Sequence, residues 1–349
     1  MTDPAVTAAT TSRRQSPLRA ILRMFRVTLV WVGLFAATAW TFGALWFDFP
    51  VKVLRHPLAV CFVLGALAAL FMVRPVWRAK AGLAAVILAV IAWWFTLRPS
   101  NNRVWQPDVA QQAWAEVDGN MVTLHNVRNC DYRTDTDYTV HWETRTVDLA
   151  KITGVDIAIC RWGATSICHP LLSFRFADAV PVAISIETRK EAGEAYSAIR
   201  GLYRQYELIY LAADERDVLR VRTNYRVGED IYLYHTNVTP AAARERFLDY
   251  LASMNELRQH PRWYNAVTTN CTTSIRTQHK VSQRLPWDSR LLVNGKIDQM
   301  LFELGVLATD GLPFAELHKQ ALITPAAKAA DQSPDFSRLI RENRPGFRP

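Results

Sequence analysis

The 349-residue chain has room for a membrane anchor and one domain of ordinary size, and half of its residues are hydrophobic. Long apolar runs fill the first hundred residues, and the remainder reads like a soluble protein. The formal net charge of +9 would suit an anionic partner, but no nucleic-acid motif accompanies it. Much of the arginine excess flanks the apolar runs, where it orients an anchor and faces anionic lipid. Nucleic acid is therefore not an expected partner.

Residues 1–26 carry Arg13, Arg14, Arg19, Arg23 and Arg26 and precede an uncharged run, Val27–Phe47. At about 1.5 Å per residue this run spans roughly 30 Å, the thickness of a hydrocarbon core. Two further runs follow, Leu58–Val73 and Ala81–Leu97, the second with Trp93 and Trp94 suited to an interfacial belt. Three transmembrane helices are expected over 27–98. The first run is too long for a cleaved signal peptide, and no small-residue cleavage site follows it. Arg74, Arg78 and Lys80 sit between the second and third runs, on the side of the N-terminal arginines. Lys52, Arg55, Arg98 and Arg103 fall on the other side. The positive-inside tendency puts residues 1–26 in the cytoplasm. With three crossings of a bacterial inner membrane, everything after residue 98 is expected in the periplasm.

The five cysteines match no zinc spacing, and no metal or cofactor is expected. Cys61 lies in an apolar run. In an oxidising compartment Cys160 and Cys168 are the nearest candidates for a disulfide, and both read equally well as small buried residues.

Residues 99–124 read as a linker ending in a short amphipathic stretch, and residues 125–325 as one α+β domain. Alternating β-branched and aromatic residues predict strands over Ile167–Phe176, Val182–Arg189, Tyr206–Ala212, Val218–Thr223 and Asp230–Thr236. Glu194–Arg204 reads as a helix or connecting turn. Thr239 as N-cap with Pro240 at the first helical position opens a helix to Leu257. Further helices are expected over 270–283 and 297–307. Residues 326–349 have few core residues and read as a disordered tail.

A thiol nucleophile needs a base for its proton and a helix N-terminus nearby to favour the thiolate. Cys271 stands where a polar turn enters a helix, with Asn270 and Thr272 able to cap. Amides of that first turn favour negative charge and can stabilise an oxyanion. A single cysteine at such a turn also fits a purely structural role. His169, opening an apolar strand, is the candidate base, and a satisfied core histidine is the alternative. Ser185, Glu187 and Arg189 share one face by period-two alternation. Glu187 either orients the imidazole or pairs with Arg175, Arg189 or Arg222.

The segments DYRTDTDYTVHWETRTVDL (131–149), HPLLSFRFADAVPVAISIETRKEAGEAYSAIRGLYRQYELIY (169–210), ADERDVLRVRTNYRVGEDIYLY (213–234) and WYNAVTTNCTTSIR (263–276) resemble the Lnb N-terminal periplasmic domain family. That family takes its name from a bacterial lipoprotein N-acyltransferase. The resemblance implies a circularly permuted papain-like fold, with the histidine strand preceding the cysteine helix as in the lecithin retinol acyltransferase group. NlpC-type peptidases have the ordinary order. It further implies Cys271 as nucleophile and His169 as base, a thioester intermediate, and a membrane lipid or lipoprotein as substrate. One departure is Ala179, where the family's turn glycine is expected. Two other readings stand beside the acyltransferase or hydrolase: a periplasmic cysteine peptidase or amidase, and a non-enzymatic membrane-tethered binding module.

Overall fold

The computed structural model describes residues 17–163, 166–278, 288–291 and 294–347. It divides into two units, Met1–Arg98 and Pro99–Pro349.

In the first unit the apolar runs become helices α1 (Pro17–Gly43), α2 (Lys52–Met72) and α3 (Val76–Thr96). All three are long and apolar enough to cross a membrane. A π-helical turn, Ala44–Asp48, extends α1. Ala66, Leu83 and Ile87 form a small buried seam, with Leu34 and Phe62 packed against it. Asp48 is buried and accepts a 2.6 Å hydrogen bond from Trp94 Nε1. The carboxylate is thereby satisfied within the helical unit.

The second unit is α+β. Strands β1 (Trp114–Asp118), β2 (Met121–Arg128), β5 (Trp142–Asp148), β6 (Ile152–Trp162), β7 (Cys168–Phe176), β8 (Val182–Arg189), β9 (Glu207–Ala213) and β10 (Glu229–His235) form one eight-stranded sheet. Its order is β1-β2-β9-β8-β7-β6-β10, with β5 also on β2. Every pairing is antiparallel except β2 with β9, which is parallel. A separate ribbon joins β3 (Asp131–Tyr132) to β4 (Tyr138–Thr139).

Alternation along the strands sends side chains to two cores. Ile157, Ile159, Leu172, Phe174 and Ile184 meet Phe247, Tyr250, Leu251 and Met254 of α5 (Pro240–Gln259) on one face. Ala158, Cys160, Leu171 and Ala183 meet Val218, Leu219, Ile323, Phe336 and Ile340 on the other. Thr239 caps α5 through its hydroxyl, as its sequence position requires.

The strand expected over Val218–Thr223 is not one. Asp214 caps a short helix α4 (Glu215–Val218), and a π-helical turn follows at Val221–Tyr225. The alternation of Leu219, Val221 and Thr223 imitates a strand, but Val218 and Leu219 are buried as adjacent residues, which a helical turn allows. The presumed linker also differs: Trp105 and Val109 pack on Ile209 and Leu211, and β1 lies within residues 99–124.

Helix α6 (Cys271–Gln278) occupies the start of the expected 270–283 helix, whose residues from 279 lie outside the described set. Helices α7 (Ile297–Glu303), α8 (Phe314–Ala321), α9 (Thr324–Ala329) and α10 (Phe336–Leu339) complete the unit. The tail is thus ordered as far as residue 347, contrary to expectation. Phe336 and Ile340 enter the core, and Arg341 binds Asp156 at 2.9 Å and Glu215 at 2.6 Å. Few apolar residues suffice there because a buried ion network does part of the anchoring.

Cys160 and Cys168 lie on opposite sheet faces, so they do not pair with each other. Cys160 Sγ lies 3.2 Å from Glu229 Oε2, and Cys168 Sγ lies 3.1 Å from the Asn294 carbonyl. The turn holding Ala179 needs no glycine, since positive φ among non-glycine described residues occurs only at Asn126, Asp310 and Asn343.

Candidate active site

Strand alternation puts His169 on the same face as Leu171 and Ser173, and Ser185 and Glu187 on the face of Ala183. This is the face covered by α4 and the π-helical turn. His169 Nε2 lies 2.8 Å from Ser185 Oγ and 3.1 Å from Glu187 Oε1. The Ser185 hydroxyl donates to Glu187 Oε1 at 2.7 Å, so it accepts from Nε2–H. The neutral ring then carries its basic lone pair on Nδ1.

Arg222, buried in the π-helical turn, donates to Glu187 Oε1 at 2.7 Å and to the Val218 carbonyl at 2.9 Å. Both sequence readings of Glu187 are therefore satisfied at once: it faces His169 and it pairs with an arginine. Arg189 instead binds the Val109 and Ala110 carbonyls, and Arg175 pairs with Asp156. Burial works against ionisation of Glu187. The charges of His169 and Arg222, with hydrogen bonds from His169 and Ser185, outweigh it and hold the carboxyl well below the usual carboxylate range. Burial likewise opposes the charge of Arg222, and Glu187 more than restores it.

These groups open onto a cavity of about 440 Å³ that His169, Glu187, Arg222, Asn270 and Asn294 all line. Its lining includes the apolar residues Ile167, Ile186 and Leu211 and the charged residues Arg128, Arg222, Arg226 and Glu229. Asn270 is the N-cap of α6. Its Oδ1 accepts from the Thr273 amide at 2.9 Å, and Thr273 Oγ1 accepts from the Asn270 amide at 3.0 Å. This reciprocal cap fixes where the helix begins. Cys271 is the first residue of α6, and its side chain lies outside the described atoms. The side-chain carbonyl of Asn270 is committed to the cap.

Thr272 is buried and its Oγ1 accepts a 2.7 Å hydrogen bond from Asn294 Nδ2. The same Asn294 amide binds the Cys168 carbonyl at 2.7 Å and accepts from the Cys168 amide at 2.8 Å. Sequence reasoning did not find Asn294. Nothing local marks it, because its partners lie 126 and 22 residues away.

Residues 138–295 match the family described as the Lnb N-terminal periplasmic domain. This stretch is a Lnb N-terminal periplasmic domain. No curated protein and no solved structure matches the chain. The Lnb domain contains His169, Ser185, Glu187, Arg222, Asn270, Cys271 and Asn294 within its matched span. Preceded by three helices apolar enough to cross a bilayer, it makes the chain a membrane-anchored periplasmic protein. Among the described residues no cluster of His, Cys, Asp and Glu is arranged to hold a metal ion.

Two other thiols of the Lnb domain's unit are poorly suited to nucleophilic work. Burial, reinforced by Asp217, pushes Cys130 up to about 12. Burial raises Cys160 as well, against the opposing charge of Arg222.

Proposed function

We propose that the protein is a thiol acyltransferase or hydrolase that takes acyl groups from membrane lipids or lipoproteins through a Cys271 thioester. The observation that carries this reading is the His169–Ser185–Glu187–Arg222 chain at a cavity that Asn270, the residue before Cys271, also lines. In this reading the fold is the permuted papain-like arrangement, and the N-terminus lies in the cytoplasm.

Nδ1 of His169 takes the Cys271 thiol proton, and the thiolate attacks the ester carbonyl carbon. Amides of the first turn of α6 receive the developing oxyanion. The carbon–oxygen ester bond breaks, and the leaving alkoxide takes the proton from the imidazolium. Water or an amine then attacks the thioester and gives its proton to His169, which returns it to the departing thiolate. Glu187 stabilises the imidazolium formed in each half-reaction and, with Ser185, holds the ring orientation. Asn270 and Thr272 position the start of α6. A cavity lined by both apolar and charged residues suits an amphiphile. A domain tethered to the bilayer meets lipid-linked esters at high effective concentration.

The test is labelling of membranes with an alkyne-tagged fatty-acyl ester, comparing wild type with Cys271→Ala and His169→Ala. The expected result is a hydroxylamine-sensitive adduct on Cys271 in wild type alone. Equal labelling of all three folded proteins, or none, would remove the acyltransferase reading in favour of an amidase or a binding module.

A further inference from the structure

We infer that the loops around the mouth of the His169 cavity form a rim that docks on an anionic phospholipid surface. The antiparallel register places the end of β6, the start of β7, the end of β8 and the starts of β9 and β10 at one end of the sheet. The loops at that end are tied together. The Ala266 amide donates to the Gly201 carbonyl at 2.8 Å, and Asn265 Nδ2 donates to the Leu202 carbonyl at 3.2 Å. On the other side Glu229 pairs in register with Trp162.

These loops hold large apolar side chains out to solvent. Trp162, Ile167, Tyr196, Ile199, Val227 and Val267 are between 38% and 100% exposed. Trp162, Ile167 and Tyr196 line the cavity, and the other three adjoin the lining residues Ala198, Arg226 and Ala266. Half of the large apolar side chains exposed on the second unit, among the described residues, stand here. Single exposed apolar residues need no explanation, but a ring of them around one opening marks a surface that is covered in use.

Charge and tethering identify what covers it. Lys190 lines the cavity and has no carboxylate partner among the described residues. Arg226, also lining it, reaches Glu229 only at 3.5 Å and keeps 37% of its side chain exposed. The acids of the neighbouring loop are already engaged. Glu191 binds Arg103 at 2.7 Å, and Glu194 accepts from the Glu191 amide at 2.9 Å. An apolar collar with tryptophan and tyrosine around a cationic mouth matches the headgroup region of an anionic leaflet. The chain enters this unit directly after its apolar helices, so a bilayer is always within reach. Docked in this way, the cavity opens onto lipid and not onto bulk water. Contact of the rim with lipid does not depend on which bond the site breaks.

The experiment uses the full chain in nanodiscs, with p-benzoylphenylalanine placed at Ile199, Val227 or Val267. Val180 serves as the control, being 50% exposed in the turn at the opposite end of the sheet. Irradiation followed by mass spectrometry should give phospholipid adducts at the three rim positions and not at Val180. Adding phosphatidylglycerol to phosphatidylcholine discs should raise the rim yield severalfold, and Lys190→Glu with Arg226→Glu should abolish that increase. Equal adducts at Val180, no rim adducts, or crosslinks to a second copy of the chain would overturn the proposal. Crosslinking needs no turnover, so its failure and a failure of Cys271 labelling are read separately.

Discussion

Asn294 donates a hydrogen bond of 2.7 Å to Thr272 while its amide holds both backbone groups of Cys168. One buried side chain thus joins the residue after Cys271 to the residue before His169. The separation of the two proposed reacting groups is set by this clamp as well as by the packing of α6 on β7. A terminal amide with every donor and acceptor occupied is a rigid spacer, because any rotation breaks at least one buried bond.

Asn294→Ala should therefore harm both stability and chemistry. It leaves a buried amide, carbonyl and hydroxyl short of a partner, at a cost of about 2–4 kcal/mol. Thermal unfolding of the full chain in detergent would report this loss. Asn294→Asp keeps the acceptor for the Cys168 amide but has no donor for Thr272, so it should recover only part of it. Wild-type stability in both variants would show that the clamp is not structural.

Glu187→Gln removes an anion from beside the imidazole. Its depressed carboxyl pKa means that Glu187 is fully charged between about pH 5 and 8, so the acid limb of activity reports His169. Without the anion the imidazolium is less favoured, and that limb should move to lower pH. The ring also loses its orienting partner, and the rate should fall roughly 10–100-fold. For stability, the depressed pKa gives a contribution that is present above the ordinary carboxylate range and lost as pH falls through the folded value. A pH–rate profile of ester hydrolysis by both proteins checks the first point. An unmoved acid limb would mean that Glu187 does not act on His169.

The parts of this protein that were legible in its sequence are those governed by local order. Uncharged runs announce α1–α3, because spanning a hydrocarbon core is a one-dimensional demand on composition. Alternation in Val182–Arg189 marks β8 because each face of the sheet meets a different core. Thr239-Pro240 announces α5 because a cap is made by neighbours. The misread segments depend on distant partners. Arg341 fastens the tail only because Asp156 and Glu215 lie under it. Val218–Thr223 alternates like a strand yet is held helical by its contacts with the second core and by Arg222 reaching Glu187. Within the candidate site, the shared face of Ser185 and Glu187 was legible from strand alternation, whereas His169 was singled out by the family resemblance. Asn294 was not, since its role exists only after β7 and α6 have packed.

Arg222 offers a sharper test of the buried chain. Arg222→Met leaves Glu187 with His169 and Ser185 as its remaining polar partners, and loss of one member of a buried ion pair costs about 3–5 kcal/mol. Arg222→Lys keeps the charge but not the fork that reaches Glu187 and the Val218 carbonyl together. It should restore part of the stability. In the lysine variant the rate should fall more than substrate binding weakens, seen as a lower kcat at nearly constant KM. Equal loss in both variants would reduce Arg222 to a packing role.

The last prediction concerns Glu207, at the start of β9. Burial raises its pKa to about 7, even though Arg103 lies 2.9 Å away and the Ser100 amide donates at 3.1 Å. Arg103 is nearly a third exposed and shared with Glu191, so its charge only partly offsets the desolvation. Because the folded pKa is raised, the folded state holds this proton more tightly than the unfolded chain does. Its contribution to stability is complete below the ordinary value of 4.5 and is lost as pH rises to about 7. Glu207→Gln removes that titration, while Arg103 keeps Glu191 at 2.7 Å. Relative to wild type, the variant should gain about 1–3 kcal/mol between pH 5 and pH 8, read as a Tm difference that widens with pH. Melting curves of the full chain in detergent across that range decide it. A constant Tm difference would mean that Glu207 is already ionised in the folded protein at low pH, with Arg103 and the Ser100 amide sufficient to hold its charge.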